Sequence, residues 1–183
     1  MTNRCSDEEM GELLAAMQGA PDALALVERM INPYPGDARL HFLRGSILAG
    51  SGRPIEAHLS LSRAVEIDPD FTLARFQLGF FELTSSEVAR ALATWEPLQS
   101  LPEDHYLRQF VTGLTHLIHD RFPETIAALE AGIAANQENP PMNGDMQLII
   151  DRCRTLTPAS APAAQEASAT SFLLDQFGRG TTH

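Results

Sequence analysis

Residues 38–71, ARLHFLRGSILAGSGRPIEAHLSLSRAVEIDPDF, hold two apolar patterns of helical period. Leu40, Phe42, Leu43, Ile47 and Leu48 make the first; Ile55, Leu59, Leu61, Ala64, Val65 and Ile67 make the second. Between them stands Ser51-Gly52-Arg53-Pro54, with glycine where a helix ends and proline where the next begins. Asp68-Pro69 stops the second helix, because proline pushes the residue before it out of the α region. The stretch predicts a helix hairpin, with small residues Gly45 and Ala57 where two backbones approach closely.

The unit recurs. A step of 34 residues from Gly45 lands on Gly79 and Gly113, and the backward step lands on Gly11. Glycine makes up about 7% of average sequence, so three chance hits have a probability of roughly 3 in 10,000. Ala57 maps to Ala91, Thr125 and Ala23, Leu61 to Trp95, Leu129 and Val27, and Pro69 to Pro35. Repetition at this period predicts helix pairs that each need a neighbour to bury an apolar face.

The flanks fit the same plan. Ser6 and Glu9 have capping-box spacing and open a helix to about Gln18. A break at Gly19-Ala20-Pro21 leads to a second helix carrying Ala23 to Met30, a degenerate first repeat. The third repeat runs from about Thr72 to Leu101 with a break at Thr84-Ser85-Ser86; the fourth opens near Pro102 and breaks around Asp120. Past Asn139-Pro140-Pro141 the period is lost, and Met146, Leu148, Ile149, Ile150 and Cys153 predict one capping helix to about Leu156. Residues 157–170, TPASAPAAQEASAT, read as a flexible linker. Residues 171–183 then carry an abrupt apolar motif, Phe172, Leu173, Leu174 and Phe177, in which Leu173, Leu174 and Phe177 share one face of a short helix.

Composition narrows the function. A chain of 183 residues with 44% hydrophobic content suits one domain with a sizeable core. Net charge is −11, from 24 acids against 13 bases that are all arginine, which argues against nucleic acid or an anionic membrane as partner. Without lysine there is no Schiff-base or P-loop chemistry. Cys5 and Cys153 read as reduced thiols, no signal peptide opens the chain, and no apolar run reaches membrane-spanning length. A cytoplasmic protein is expected.

The set Gly45, Leu48, Ala57, Leu61, Ala64 and Pro69, repeated every 34 residues, resembles the tetratricopeptide repeat over about residues 6 to 139. The match departs where that family often has Trp and Tyr in the first helix; His41 and Leu48, then Arg75 and Glu82, stand there. The resemblance implies an all-α solenoid, a right-handed superhelix of about four repeats with a capping helix, whose first helices line a groove for a peptide or helix of another protein. On that basis Phe42, Phe76 and Phe110, each three residues before a repeat glycine, form an expected groove ladder joined by Leu73, Phe80, Leu107 and Leu114. Leu83 and Leu117 fit the inter-repeat core equally well. Relatives that bind chaperone C-termini use Lys and Asn at such places, so the apolar residues here imply an amphipathic helix or apolar peptide instead.

Catalytic chemistry finds no foothold. His116 and His119 have i,i+3 spacing but no third metal ligand, no G-x-S-x-G occurs, and no Cys–His pair has a recognisable setting. No metal, cofactor or enzymatic activity is expected. The expected function is an adaptor or scaffold with a groove and a tethered C-terminal docking motif; the alternative is a small acidic chaperone for an exported client. The tail motif is expected to meet a partner in trans, with self-docking or homodimerisation as its alternative.

Overall fold

The computed structural model describes residues 4–156. They form nine α-helices and no strand: α1 (Asp7–Met17), α2 (Ala23–Ile31), α3 (Ala38–Gly50), α4 (Pro54–Ile67), α5 (Thr72–Thr84), α6 (Val88–Trp95), α7 (Tyr106–Ile118), α8 (Phe122–Ala135) and α9 (Met142–Leu156). A 3-10 turn at Glu96–Ser100 follows α6, where Pro97 has no N–H to continue the α-helical ladder. The protein is all-α over these residues. None of the nine helices is long and apolar enough to cross a membrane.

The chain divides into two compact units, residues up to Leu78 and residues from Gly79. In the first, α2 packs against α1 and α3, and α3 against α4. The Ser6 hydroxyl accepts from the Glu9 N–H at 3.1 Å while the Ser6 N–H donates to the Glu9 carboxylate at 2.8 Å, so the expected capping box opens α1. Met10 and Leu13 of α1 join Val27 and Leu40 in one apolar cluster, with Leu26, Leu43 and Ile47 packed around it. In the second unit α7 packs against α6 and α8, and α9 lies on α8 through the buried Met146, Ile149, Ile150 and Cys153.

The hairpins are locked by a glycine against the residue 16 positions later. A Cβ on Gly45 would stand 2.7 Å from Leu61 Cγ, and one on Gly113 would stand 2.6 Å from Leu129 Cδ2. A Cβ on Gly79 would run into the indole of Trp95, 2.6 Å from Cδ1. Leu61, Trp95 and Leu129 are each buried. Beside them Ala57, Ala91 and Thr125 are fully buried, and Thr125 donates its hydroxyl proton to the Arg121 carbonyl at 2.8 Å. Gly11 keeps the sequence register but not the role, for nothing lies within 4 Å of its missing Cβ.

Each hairpin turn repeats in atomic detail. Gly52, Ser86 and Asp120 all have positive φ, at 68°, 67° and 55°. The N–H groups of Arg53, Glu87 and Arg121 donate to the carbonyls of Leu48, Glu82 and His116 at 3.0, 2.8 and 3.1 Å. Those of Gly52, Ser86 and Asp120 donate to Ala49, Leu83 and Leu117 at 3.3, 3.1 and 3.0 Å. This is the Schellman arrangement, which satisfies the last carbonyls of the first helix. A third device recurs before each first helix: side chains of His41, Arg75 and Gln109 donate to the carbonyls of Pro35, Pro69 and Glu103 at 2.9, 2.8 and 2.5 Å.

Two stability measurements test this frame. Gly113→Ala should cost about 1–3 kcal/mol by overpacking Leu129, whereas Gly11→Ala should gain roughly 0.5–1 kcal/mol from helix propensity. Equal effects in urea unfolding would refute the crossing. Ser86→Gly relieves about 1–2 kcal/mol of left-handed strain against roughly 0.5–1 kcal/mol of added chain entropy. A rise in thermal midpoint of about 1–4 °C is expected for a chain of this size, and a fall would contradict the turn geometry.

Candidate functional site

The residues expected to line a groove divide by burial. Phe76, Leu107, Phe110 and Leu114 are core side chains. The Phe110 ring lies where a Cβ on Gly132 would meet it 2.5 Å from Cε1, and edge-on to Tyr106 with centroids 5.8 Å apart. These four fill the interior and offer no area to a partner, which corrects their assignment as groove-lining. For Phe76 and Phe110 the reason is angular: three residues along a helix turn through about 300°, so a side chain three before the crossing glycine points within about 60° of it. Phe42, Leu73 and Phe80 keep part of their surface open. Phe42 leans on Phe71 with ring centroids 5.2 Å apart.

Among the described residues the two most exposed large apolar side chains lie on α4, at positions that belong to its apolar pattern. Ile55 and Leu59 are 77% and 63% exposed. The buried stripe of α4 is Ala57, Ser60, Leu61 and Ala64. Ile55 and Leu59 each precede a buried residue by two positions, about 200° around the helix, and one turn apart they share a face. Leu14 and Leu148, at 44% and 47%, are the other exposed large apolar side chains among the described residues, and each stands on a separate helix. The spacing of Ala57, Leu61 and Ala64 was the available signal, since it fixes which side of α4 faces α3.

A cleft of about 530 Å³ opens between α2 and α3, lined by Ala25, Glu28, Arg29, Ile31, Asn32, His41 and Arg44. Of its two arginines, Arg44 is engaged: it donates from Nε to Glu28 at 3.0 Å and from a terminal nitrogen to the Ser60 hydroxyl at 2.6 Å. His116 and His119 close α7, where the His119 N–H donates to the His116 carbonyl at 3.0 Å. Among the described residues no three His, Cys, Asp or Glu side chains stand together as a metal ion would need. Cys5 and Cys153 are buried thiols outside any disulfide, and burial pushes both pKa values up to about 11, assisted at Cys5 by the neighbouring Asp37 carboxylate.

The most heavily bonded group is Asp37, fully buried at the start of α3. It accepts from the Cys5 N–H at 3.1 Å, the Cys5 thiol at 3.2 Å and the Arg39 N–H at 3.0 Å. The Arg39 guanidinium adds a fork of two bonds at 3.0 and 2.8 Å and continues to the Cys5 carbonyl at 2.7 Å and to Asp7 at 2.8 Å. Burial alone would raise the Asp37 pKa, but the bonds from Arg39 and Cys5 prevail and hold it at about 2. This is a clasp that ties the chain before α1 to α3.

No protein-family model matches the chain, and no curated protein matches it. The tail motif of Phe172, Leu173, Leu174 and Phe177 lies outside the described residues.

The clasp predicts an acid response. An unfolded aspartate titrates near 3.9, and the folded value is about 2. The contribution of Asp37 is therefore complete above about pH 4 and lost as pH falls through 2. Asp37→Asn should flatten the decline in stability between those values in denaturant titrations. Asp37→Ala, which strips its donors of their acceptor, should cost on the order of 3 kcal/mol at neutral pH. An unchanged acid profile in Asp37→Asn would assign the shift elsewhere.

Proposed function

We propose that this chain is a protein-interaction module, an adaptor or scaffold built as a tetratricopeptide-like array of helix hairpins. The reading of the array draws on three hairpins that share a glycine crossing, a Schellman turn and a side-chain bond to the carbonyl six residues earlier, all in 34-residue register. The observation that carries the function is the Ile55–Leu59 face. Two large aliphatic side chains one helical turn apart, both more than half exposed, are what the apolar side of a peptide or amphipathic helix covers, each worth about 1.5–3 kcal/mol when fully buried. A cytoplasmic setting fits two cysteines that form no disulfide. The net charge of −11 favours a partner whose polar rim is basic.

Capture of partners by the full chain, compared with an Ile55→Ser/Leu59→Ser variant, tests the proposal. A specific partner should be lost in the variant while the far-UV spectrum and thermal midpoint stay within a small margin, since both side chains are already in water. Undiminished capture by the variant would remove the α4 face from the binding site.

A further inference from the structure

We infer that, when no other partner is present, the Ile55–Leu59 face is covered by the same face of a second copy, α4 lying antiparallel against α4 about a two-fold axis. The inference rests on reading that face as a binding surface and names its occupant. Its warrant is the order of charges along α4. Arg53, Glu56, Arg63 and Glu66 run plus, minus, plus, minus, antisymmetric about the midpoint between residues 59 and 60. A two-fold axis through that midpoint sets Glu56 opposite Arg63 of the second copy and Arg53 opposite Glu66 of the second copy, each pair occurring twice. The flanks agree as well. Seven residues turn through about 700°, so Glu56 and Arg63 stand within about 20° of one another around the helix. In an antiparallel two-fold pair one flank always meets its own equivalent. Ile55, Leu59 and Ser62 lie beside that flank, on the stripe facing away from the buried Ala57, Leu61 and Ala64. Leu59 then meets Leu59 of the second copy at the axis, and Ile55 lies against Ser62 and the aliphatic stem of Arg63 of the second copy. An axis moved to residue 57 would bring Ile55 to Leu59 of the second copy, but also the two Glu56 carboxylates side by side. Arg53 grips both Glu56 oxygens at 2.7 and 2.6 Å, whereas Arg63 gives Glu66 one terminal nitrogen at 3.2 Å, which leaves Arg63 donors for a second carboxylate. A contact confined to one face of a 14-residue helix falls short of the roughly 800 Å² per partner of a stable interface. Two chains of net charge −11 also repel at a distance. The self-contact is therefore weak and yields to a partner with a basic rim.

Sedimentation equilibrium of the full chain, over about two decades of concentration up to roughly 1 mM, tests the pairing. The wild-type mass should rise from that of one chain toward that of two, and stay at one in Ile55→Ser/Leu59→Ser. Glu56→Arg and Arg63→Glu each place like charges across the axis and should associate at least about tenfold more weakly than the wild type. An equimolar mixture of these two variants restores both opposite-charge pairs and should associate as the wild type does, as should Glu56→Arg/Arg63→Glu by itself. Two variants that merely misfold cannot rescue one another. A wild type that stays at one chain's mass throughout, single variants that associate undiminished, or a mixture no better than its components overturns the inference. A monomeric wild type that still loses a captured partner in Ile55→Ser/Leu59→Ser overturns this inference alone and leaves the binding face standing. A dimer abolished by those two substitutions, with no other protein captured, keeps the self-contact and removes the adaptor reading.

Discussion

Everything regular in this protein depends on how closely two helices can approach at one point. Gly45, Gly79 and Gly113 each leave a space that a large side chain of the sister helix fills, and the filler is a leucine, a tryptophan or a leucine. The space is a backbone property, so residues of different volume can occupy it by small shifts of the crossing. The glycine cannot vary in the same way: any Cβ there lands within about van der Waals overlap of a packed side chain. Once that contact is set, the turn joining the helices has little freedom. The first helix must stop near a fixed place, and the left-handed residue with its two Schellman bonds does so in the three hairpins that have the glycine crossing. That Ser86 and Asp120 accept a conformation better suited to glycine shows the crossing overriding local preference.

The repeat is deeper in chemistry than in residue identity. His41, Arg75 and Gln109 look unrelated, and two of them stand where the tetratricopeptide pattern often has an aromatic residue. All three end in an N–H donor, and all three give it to the carbonyl six residues earlier. That carbonyl follows the second helix of the preceding pair, where no helical donor remains for it. An imidazole, a guanidinium and a carboxamide meet the need equally, so substitution among them erases the similarity of the letters while the bond persists. The absence of a family match is compatible with a repeat kept in this way.

Legibility in the sequence follows from the same distinction. The period of 34, the capping box at Ser6, the breaks at Gly52, Ser86 and Asp120 and the final helix ending at Leu156 were all readable, because they depend on backbone-specific residues or on spacing. Direction was not. Equivalence of Phe42, Phe76 and Phe110 says that they occupy one register, not that the register faces outward; Phe76 and Phe110 are buried there while Phe42 stays part-open. Ile55 and Leu59 joined an apolar pattern by hydrophobicity alone, yet they lie about half a turn from the buried Ala57 and Leu61. Face assignment needed the glycine contact as an angular reference, and which residue that glycine touches is a three-dimensional fact. The 3-10 turn after α6 lies inside the stretch expected as the third repeat, and Pro97, which lacks an N–H for the α-helical ladder, stands within that turn.

The first helix pair marks the limit of the glycine device. Gly11 is in register and touches nothing, α1 buries only Met10 and Leu13, and neither is as deeply enclosed as Leu61 or Leu129. Apolar area alone would leave the seat of α1 loosely defined, because methionine and leucine slide over one another with small changes in energy. The clasp at Asp37 supplies what the crossing does elsewhere. A buried carboxylate with donors arriving from Cys5 and Arg39 has one satisfactory arrangement, and displacement by an ångström leaves charge unpaired in the interior. Desolvation cancels much of its gain, so its contribution is greater to position than to net stability. The chain thus fixes its helices by shape where a glycine admits a neighbour, and by directed hydrogen bonds before α1, where the glycine in register touches nothing.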